Sequence, residues 1–192
     1  MYIAQNFKHL LGLEGFSDKA LETHFIFYEG YVTNTNKLLE ELNNLLKEDK
    51  ITTPQFAELK RRFGWEFGGM RLHELYFSTL KNGGAVLDSN STLAQKIAID
   101  FGSFEMWEKD FKATASMRGI GWAILSYDQE ADKLINVWVN EHNAGHLTGA
   151  ISLLVCDVFE HAFIIDYGSK RAGYIDSFMK AIDWQSVANR LI

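Results

Sequence analysis

The chain has 192 residues, 47% hydrophobic and 14% aromatic, with 25 acidic against 19 basic side chains and a net charge of −6. That length suits one generous domain or two small ones sharing an interface, and the apolar content is enough for a real core. The acidic balance argues against a nucleic-acid partner and gives an anionic substrate no general attraction; the only basic run, "KRR" at 60–62, reads as a solvated helix face. The lone Cys156 excludes an internal disulfide framework and reads as a buried small hydrophobe in a reducing compartment. With no basic leader ahead of an apolar core, and no apolar run near the roughly 20 residues of a membrane span, the expectation is a soluble, cytoplasmic protein.

In chain order, "GFSDKALETHFIFYEGYVTNTNKLLEELNNLLKE" begins with a capping serine, Ser17. Apolar residues then recur at helical spacing through Leu21, Phe25, Tyr28, Val32, Leu38, Leu42 and Leu46. "EDKITTPQFAELKRRFGWEFGGMRLHELYFSTL" predicts a second long helix, with Pro54 in its first turn. A short polar link between them predicts an antiparallel hairpin. The turn-rich "KNGGAVLDSNS" marks a domain junction near Leu87, dividing the chain into 1–87 and 88–192. Two shorter helices follow, at about 91–100 and 103–116, and then the period changes from helical to alternating. "GWAILSYDQEADKLINVWV" reads as an antiparallel hairpin, "NEHNAGHLTG" as a loop, and the apolar run Ile151 to Cys156 as a central strand. Helices close the chain after Tyr174. The fold class is α+β: an N-terminal helical hairpin, then a mixed α/β domain.

Six histidines are spread along this plan. His24 and His73 fall inside the two long helices, and antiparallel packing can bring them together. Asp157 and His161 sit four positions apart in the apolar stretch "ISLLVCDVFEHAFIIDYGSKRAGY". A buried carboxylate is costly unless paired, hydrogen-bonded or bound to metal, so the pair is either a salt-bridged helix start or part of a metal site. Together the four give a candidate His, His, Asp, His set, which suits redox-active iron or manganese and would also accept zinc. A ferritin-like di-iron bundle needs Glu-x-x-His pairs, but the residues three before each histidine are Asn6, Leu21, Met70, Val139, Asn143 and Val158. There is no His-Glu-x-x-His, no Cys-x-x-Cys and no nucleophile elbow, and "GGMRLH" and "GIGWA" are too short to cradle phosphate.

From about Phe16 onward the chain resembles the iron/manganese superoxide dismutase family. The most specific stretch is "DVFEHAFIIDYGSKRAGYIDSFMKAIDW", close to the family's C-terminal signature, in which the Asp and His of Asp-x-x-x-His both bind metal. The resemblance implies a three-stranded antiparallel sheet in the second domain and a metal site between the two domains. It implies one iron or manganese ion per subunit, held by His24, His73, Asp157 and His161, that converts superoxide to dioxygen and hydrogen peroxide. It makes Tyr31, in "YVTNTNKL", the gateway tyrosine and Trp122 an aromatic lining the site. It makes His142 the loop residue that hydrogen-bonds the metal's solvent ligand in manganese-type members. Iron-type members place a Gln four residues before the second-helix ligand, where this chain has Gly69. It further implies a homodimer, or a tetramer, in which Glu160 reaches His161 of a second copy. Lys170 and Arg171 are the basic residues nearest the signature and are candidates for local attraction of the anion. His146 and His9 are expected to be solvated or structural.

Several departures accompany the resemblance. His24 and Tyr31 are seven positions apart, one fewer than usual, a shift of about 100° on a helix. Phe27 or Tyr28, and Ile164, replace a polar pair that usually crosses the dimer interface, and Phe77 and Phe159 stand where tryptophans are common. Gly69 with His142 leans toward manganese, while "IIDY" with Asp166 leans toward iron. The competing expectation is a metal-binding homologue with little dismutation, whose ligands serve folding or assembly.

Overall fold

The structure is a computed structural model and describes residues 1–191. Helix α1 (Asp18–Lys47) begins at Ser17, whose side chain accepts from the Ala20 amide. Helix α2 (Pro54–Phe77) begins at Thr53 in the same way, with Pro54 where the missing N–H costs nothing. The two pack as an antiparallel hairpin. The buried stripe of α1 runs through Leu21, Phe25, Tyr28, Val32, Leu38 and Leu42. It then continues through Leu45 rather than Leu46, which is exposed, because three- and four-residue steps must alternate to follow a 3.6-residue turn.

Helices α3 (Thr92–Phe101) and α4 (Phe104–Ala115) follow, capped by Ser91 and Ser103. The sheet comprises β1 (Gly121–Asp128), β2 (Lys133–Asn140) and β3 (Ile151–Asp157), in the order β2-β1-β3 and antiparallel throughout. The central strand is therefore β1, not β3. The apolar run of β3 has a different cause: it is an edge by pairing, but α2 and the C-terminal α7 (Trp184–Ala188) cover it. Lys96 is buried yet paired with Asp100 at 3.6 Å and Asp132 at 2.9 Å, which ties α3 to the β1–β2 turn. Short α5 (Ile164–Tyr167) and α6 (Arg171–Ala181) lead to α7. One buried cluster, from Phe7 to Val187, joins the helical hairpin to the sheet. Among the described residues, no helix is long and apolar enough to cross a membrane.

This arrangement points four chain segments at one place. The N-terminal turns of α1 and the C-terminal turns of α2 face the end of β3, where Asp157 stands opposite Trp122 of β1. A 3-10 turn, Glu160–Ala162, returns the chain toward the same point.

A candidate metal centre

His24 from α1, His73 from α2, Asp157 from the end of β3 and His161 from the following turn converge, with their donor atoms all within 4.8 Å of one another. Asp157 Oδ2 lies 3.1 Å from His24 Nε2, 3.1 Å from His161 Nε2 and 3.7 Å from His73 Nε2. Its other oxygen, Oδ1, accepts from the Phe159 amide at 2.8 Å, which orients the carboxylate. Tyr174 donates its hydroxyl to the Asp157 carbonyl at 2.7 Å and fixes the backbone behind it. His73 Nδ1 bonds the Gly69 carbonyl at 2.6 Å, so its proton resides there and Nε2 is left as a bare acceptor. Among the described residues, that Nε2 and Thr35 Oγ1 are the buried side-chain polar atoms without a hydrogen-bond partner. A buried acceptor left unsatisfied is destabilising. A cation bound among these donors would satisfy it, and nitrogen and oxygen ligands about 2.0–2.2 Å from an ion stand a few ångströms apart, as these do. The residues fit a single metal ion.

The electrostatics suit a cation. Burial alone would raise the Asp157 carboxyl, but His161 and His24 beside it outweigh burial and hold it far below the usual carboxylate range. Burial lowers His24, and burial together with the neighbouring His24 lowers His73 well below the ordinary imidazole value. The helical histidines are thus held neutral beside a carboxylate held ionised, the protonation states a metal requires.

A second layer of residues abuts this cluster. Tyr31 packs its ring 5.2 Å from that of His73, and its hydroxyl lies 2.7 Å from His142 Nε2. The seven-residue spacing from His24 presents no obstacle. Helix α1 is unbroken, and seven residues fall only about 20° short of two full turns, so both side chains leave the same face. His142 is fully buried, not a solvated loop residue, and the Trp122 indole donates to its Nδ1 at 3.1 Å. An indole N–H only donates, so His142 Nδ1 is the acceptor and the neutral ring carries its proton on Nε2, which donates to Tyr31 Oη. The phenolic hydrogen of Tyr31 is thereby left to point elsewhere. Burial pushes Tyr31 up to about 12, with Asp157 and Glu66 adding to the rise, and pushes His142 down to about 4. Phe159 stacks on His142 at 4.6 Å, and Phe77 packs 4.9 Å from His24, so the positions expected to be tryptophan still supply apolar walls.

Two glycines of α2 make this layer possible. A Cβ on Gly68 would overlap the His142 carbonyl oxygen, and one on Gly69 would lie 2.6 Å from the Tyr31 ring. The vacancy at Gly69 is therefore filled by Tyr31, with His142 arriving over Gly68. Arg171 does not face the site: it donates to the Met117 and Gly119 carbonyls at 2.7 and 2.8 Å and holds that loop. His146 is exposed, though its Nε2 lies 3.0 Å from the His142 carbonyl, and His9 is exposed against Phe7. Glu160 is exposed beside His161. Three neighbours escaped the reading of the sequence: Tyr174 behind Asp157, Trp65 edge-on to His142 at 4.8 Å, and the buried Glu66. Only Glu66 carried a signal, as an acid between Trp65 and Phe67 one turn after Arg62.

The neutral buried imidazoles set a pH dependence for the metal-free protein. In the unfolded chain a histidine takes up its proton near pH 6.5. In the folded protein His142 does so only near 4, and His24 and His73 are lowered too. Within that window the unfolded chain binds more protons, so stability rises with pH and is lost as pH falls. Thermal melts of metal-free protein should show a falling midpoint between about pH 6.5 and about pH 4. A midpoint unchanged across that range would contradict the burial of these rings as neutral groups.

A helical hairpin and a three-stranded sheet with a three-imidazole, one-carboxylate cluster between them carry the donor set of a mononuclear metal centre. A family profile described as "Iron/manganese superoxide dismutases, C-terminal domain" matches residues 89–190. The "Superoxide dismutase [Fe]" of Aquifex pyrophilus is 38% identical over 183 residues, 93% of this chain and 85% of that protein. The "Superoxide dismutase [Fe]" of Cupriavidus metallidurans is 37% identical over 183 residues, covering 93% and 89%. The "Superoxide dismutase [Mn] 1" of Halobacterium salinarum is 33% identical over 169 residues, covering 87% and 82%. The chain belongs to the iron/manganese superoxide dismutase family.

Proposed function

We propose that this protein dismutates superoxide using one iron or manganese ion per subunit, held by His24, His73, Asp157 and His161. The observation that carries the reading is the convergence of four donors, three buried and His161 half-buried, around His73 Nε2, an acceptor with nothing of the protein to bond. The ion, when bound, supplies the redox chemistry, passing an electron from one superoxide to the next so that dioxygen and hydrogen peroxide form with uptake of two protons. The protein's own part is to hold and deliver protons in a dry site. Tyr31, protonated up to about 12 and already accepting from His142 Nε2, keeps its O–H available as the donor facing the cluster. Trp122 fixes the His142 tautomer, while Phe77 and Phe159 exclude water from the imidazoles. We place the working form as a cytoplasmic homodimer, with Glu160 directed to the equivalent histidine of a second copy. Its domains are 1–87 and 88–192.

One feature favours a second reading, a metal-binding homologue with little activity. Phe27 and Ile164 leave an exposed apolar surface beside His161, and Phe27 packs 5.0 Å from its ring. Activity separates the two. Protein purified from its own host, with its metal content measured, should accelerate superoxide decay. His73→Ala should lose more than about a hundredfold in metal affinity and lose activity with it. Fully loaded protein without dismutation would establish the second reading, and full metal retention by His73→Ala would refute the ligand set.

A further inference from the structure

Glu66 takes no part in the metal cluster, yet its carboxylate is buried one turn of α2 before Gly69 and Met70. Its Oε1 accepts from Arg62 Nε at 2.7 Å and lies 2.6 Å from Arg62 Nη2, while its Oε2 accepts from Asn34 Nδ2 at 3.3 Å. Asn34 stands three residues after Tyr31 on α1, and Gly69, three residues after Glu66 on α2, carries the Tyr31 ring. The clamp therefore sits directly above the Tyr31–His142 pair. The Arg62 guanidinium lies 4.9 Å from the Trp65 ring, and Trp65 packs edge-on against His142 at 4.8 Å. The Arg62 side chain is 54% exposed and that of Glu66 only 4%. One end of the ion pair is thus buried on the Tyr31 side of α2 and the other reaches solvent. The charge of Arg62 reaches both Tyr31 and His142, and that of Glu66 reaches Tyr31. Arg171, one of the two basic residues expected to attract the anion near the signature, is committed to backbone carbonyls instead.

We propose that Arg62 and Glu66 form a charge pair that governs the approach of small anions to the site, with Arg62 masking the buried carboxylate and presenting its outer edge as the cationic lip. An exposed i,i+4 pair contributes little to stability, but a buried carboxylate stripped of its partner keeps an uncompensated charge. Next to a site that must admit an anion, that charge also repels the incoming ligand across a short, poorly screened distance. In a chain of net charge −6, entry depends on this local compensation. The identity of the anion as superoxide rests on the function proposed above; the charge effect applies to any small monovalent anion.

The test uses metal-loaded protein titrated with azide, followed by absorbance, at about 0.01 M and about 0.15 M ionic strength, where the screening length is about 30 Å and 8 Å. Arg62→Gln should weaken azide binding about three- to tenfold at low salt, with a smaller loss at high salt. Arg62→Lys should restore most of the affinity, and Glu66→Gln should bind at least as tightly as the parent. The double variant Arg62→Gln/Glu66→Gln should recover most of what Arg62→Gln loses, and it keeps the test open if the single variant folds poorly. Equal weakening by Arg62→Gln and Glu66→Gln, or a loss that is insensitive to salt and not rescued in the double variant, would overturn the proposal in favour of a purely structural clamp. Superoxide decay measured in parallel keeps the two readings apart. The azide pattern without dismutation would support the charge pair and sink the enzymatic function, whereas dismutation without the pattern would do the reverse.

Discussion

Asp157→Asn should leave a folded protein that no longer retains its metal. The substitution is nearly isosteric, and the amide oxygen can still accept the Phe159 N–H that orients the side chain. What it removes is the negative charge of the four-donor cluster, the counterion to any bound cation. What it adds is an NH₂ group facing nitrogens that must act as bare acceptors. Three neutral imidazoles and a misdirected amide are a poor host for a divalent or trivalent ion, so affinity should fall by at least about a hundredfold and activity should fall with it. Metal analysis after dialysis, paired with thermal melts with and without added metal, checks this result. The parent should gain stability from metal and the variant should not, because a ligand that binds only the folded state stabilises by mass action. A variant that keeps a full complement of metal would show that Asp157 is not a ligand.

The second large effect is expected at Gly68→Ala, a position with no reactive group. The new methyl would overlap the carbonyl oxygen of His142, which is backbone on both sides and cannot rotate away as a side chain would. Either α2 or the loop that carries His142 must shift. The 2.7 Å contact with Tyr31 and the 3.1 Å bond from Trp122 cannot both survive that movement. Overpacking of this kind costs about 1–3 kcal/mol, and activity should drop by about a hundredfold, the lower end of what one positioned proton-transfer group contributes. The four metal donors lie elsewhere, so metal content should stay near the parent's. Gly64→Ala is the control. Its methyl would meet only the Asn143 Cβ at 3.9 Å, and alanine is the better helix former by roughly 1 kcal/mol. That variant should be at least as stable as the parent and equally active. A Gly68→Ala protein with normal activity and an unchanged melting point would mean that the close approach of His142 to α2 does not matter.

Much of this molecule was legible along the chain because the relevant physics is local. Ser17 and Thr53 cap their helices, Pro54 opens α2, and apolar spacing marks the buried face of α1. His24, His73, Asp157 and His161 stood out because two of them share a recognisable segment and the other two lie in helices that pack together. Tyr31 at seven residues from His24 looked displaced only against the family's usual spacing; the helical period itself puts the two on one face.

Local physics along the chain therefore specifies the set of elements, their capping and the chemical types of the residues that gather at the site. The packed fold supplied the rest. It placed β1 rather than β3 at the centre of the sheet, because strand order depends on pairings between residues far apart in the chain. It buried His142 against the bare backbone of α2 at Gly68, turned Arg171 away onto carbonyls, and drew Arg62 out of an apparently solvated basic run onto the buried Glu66. Each of these depends on which surface a distant segment happens to cover. Periodicity reports only that a side chain faces inward, and the residue it meets there is chosen by contacts that form when the helices close on the sheet.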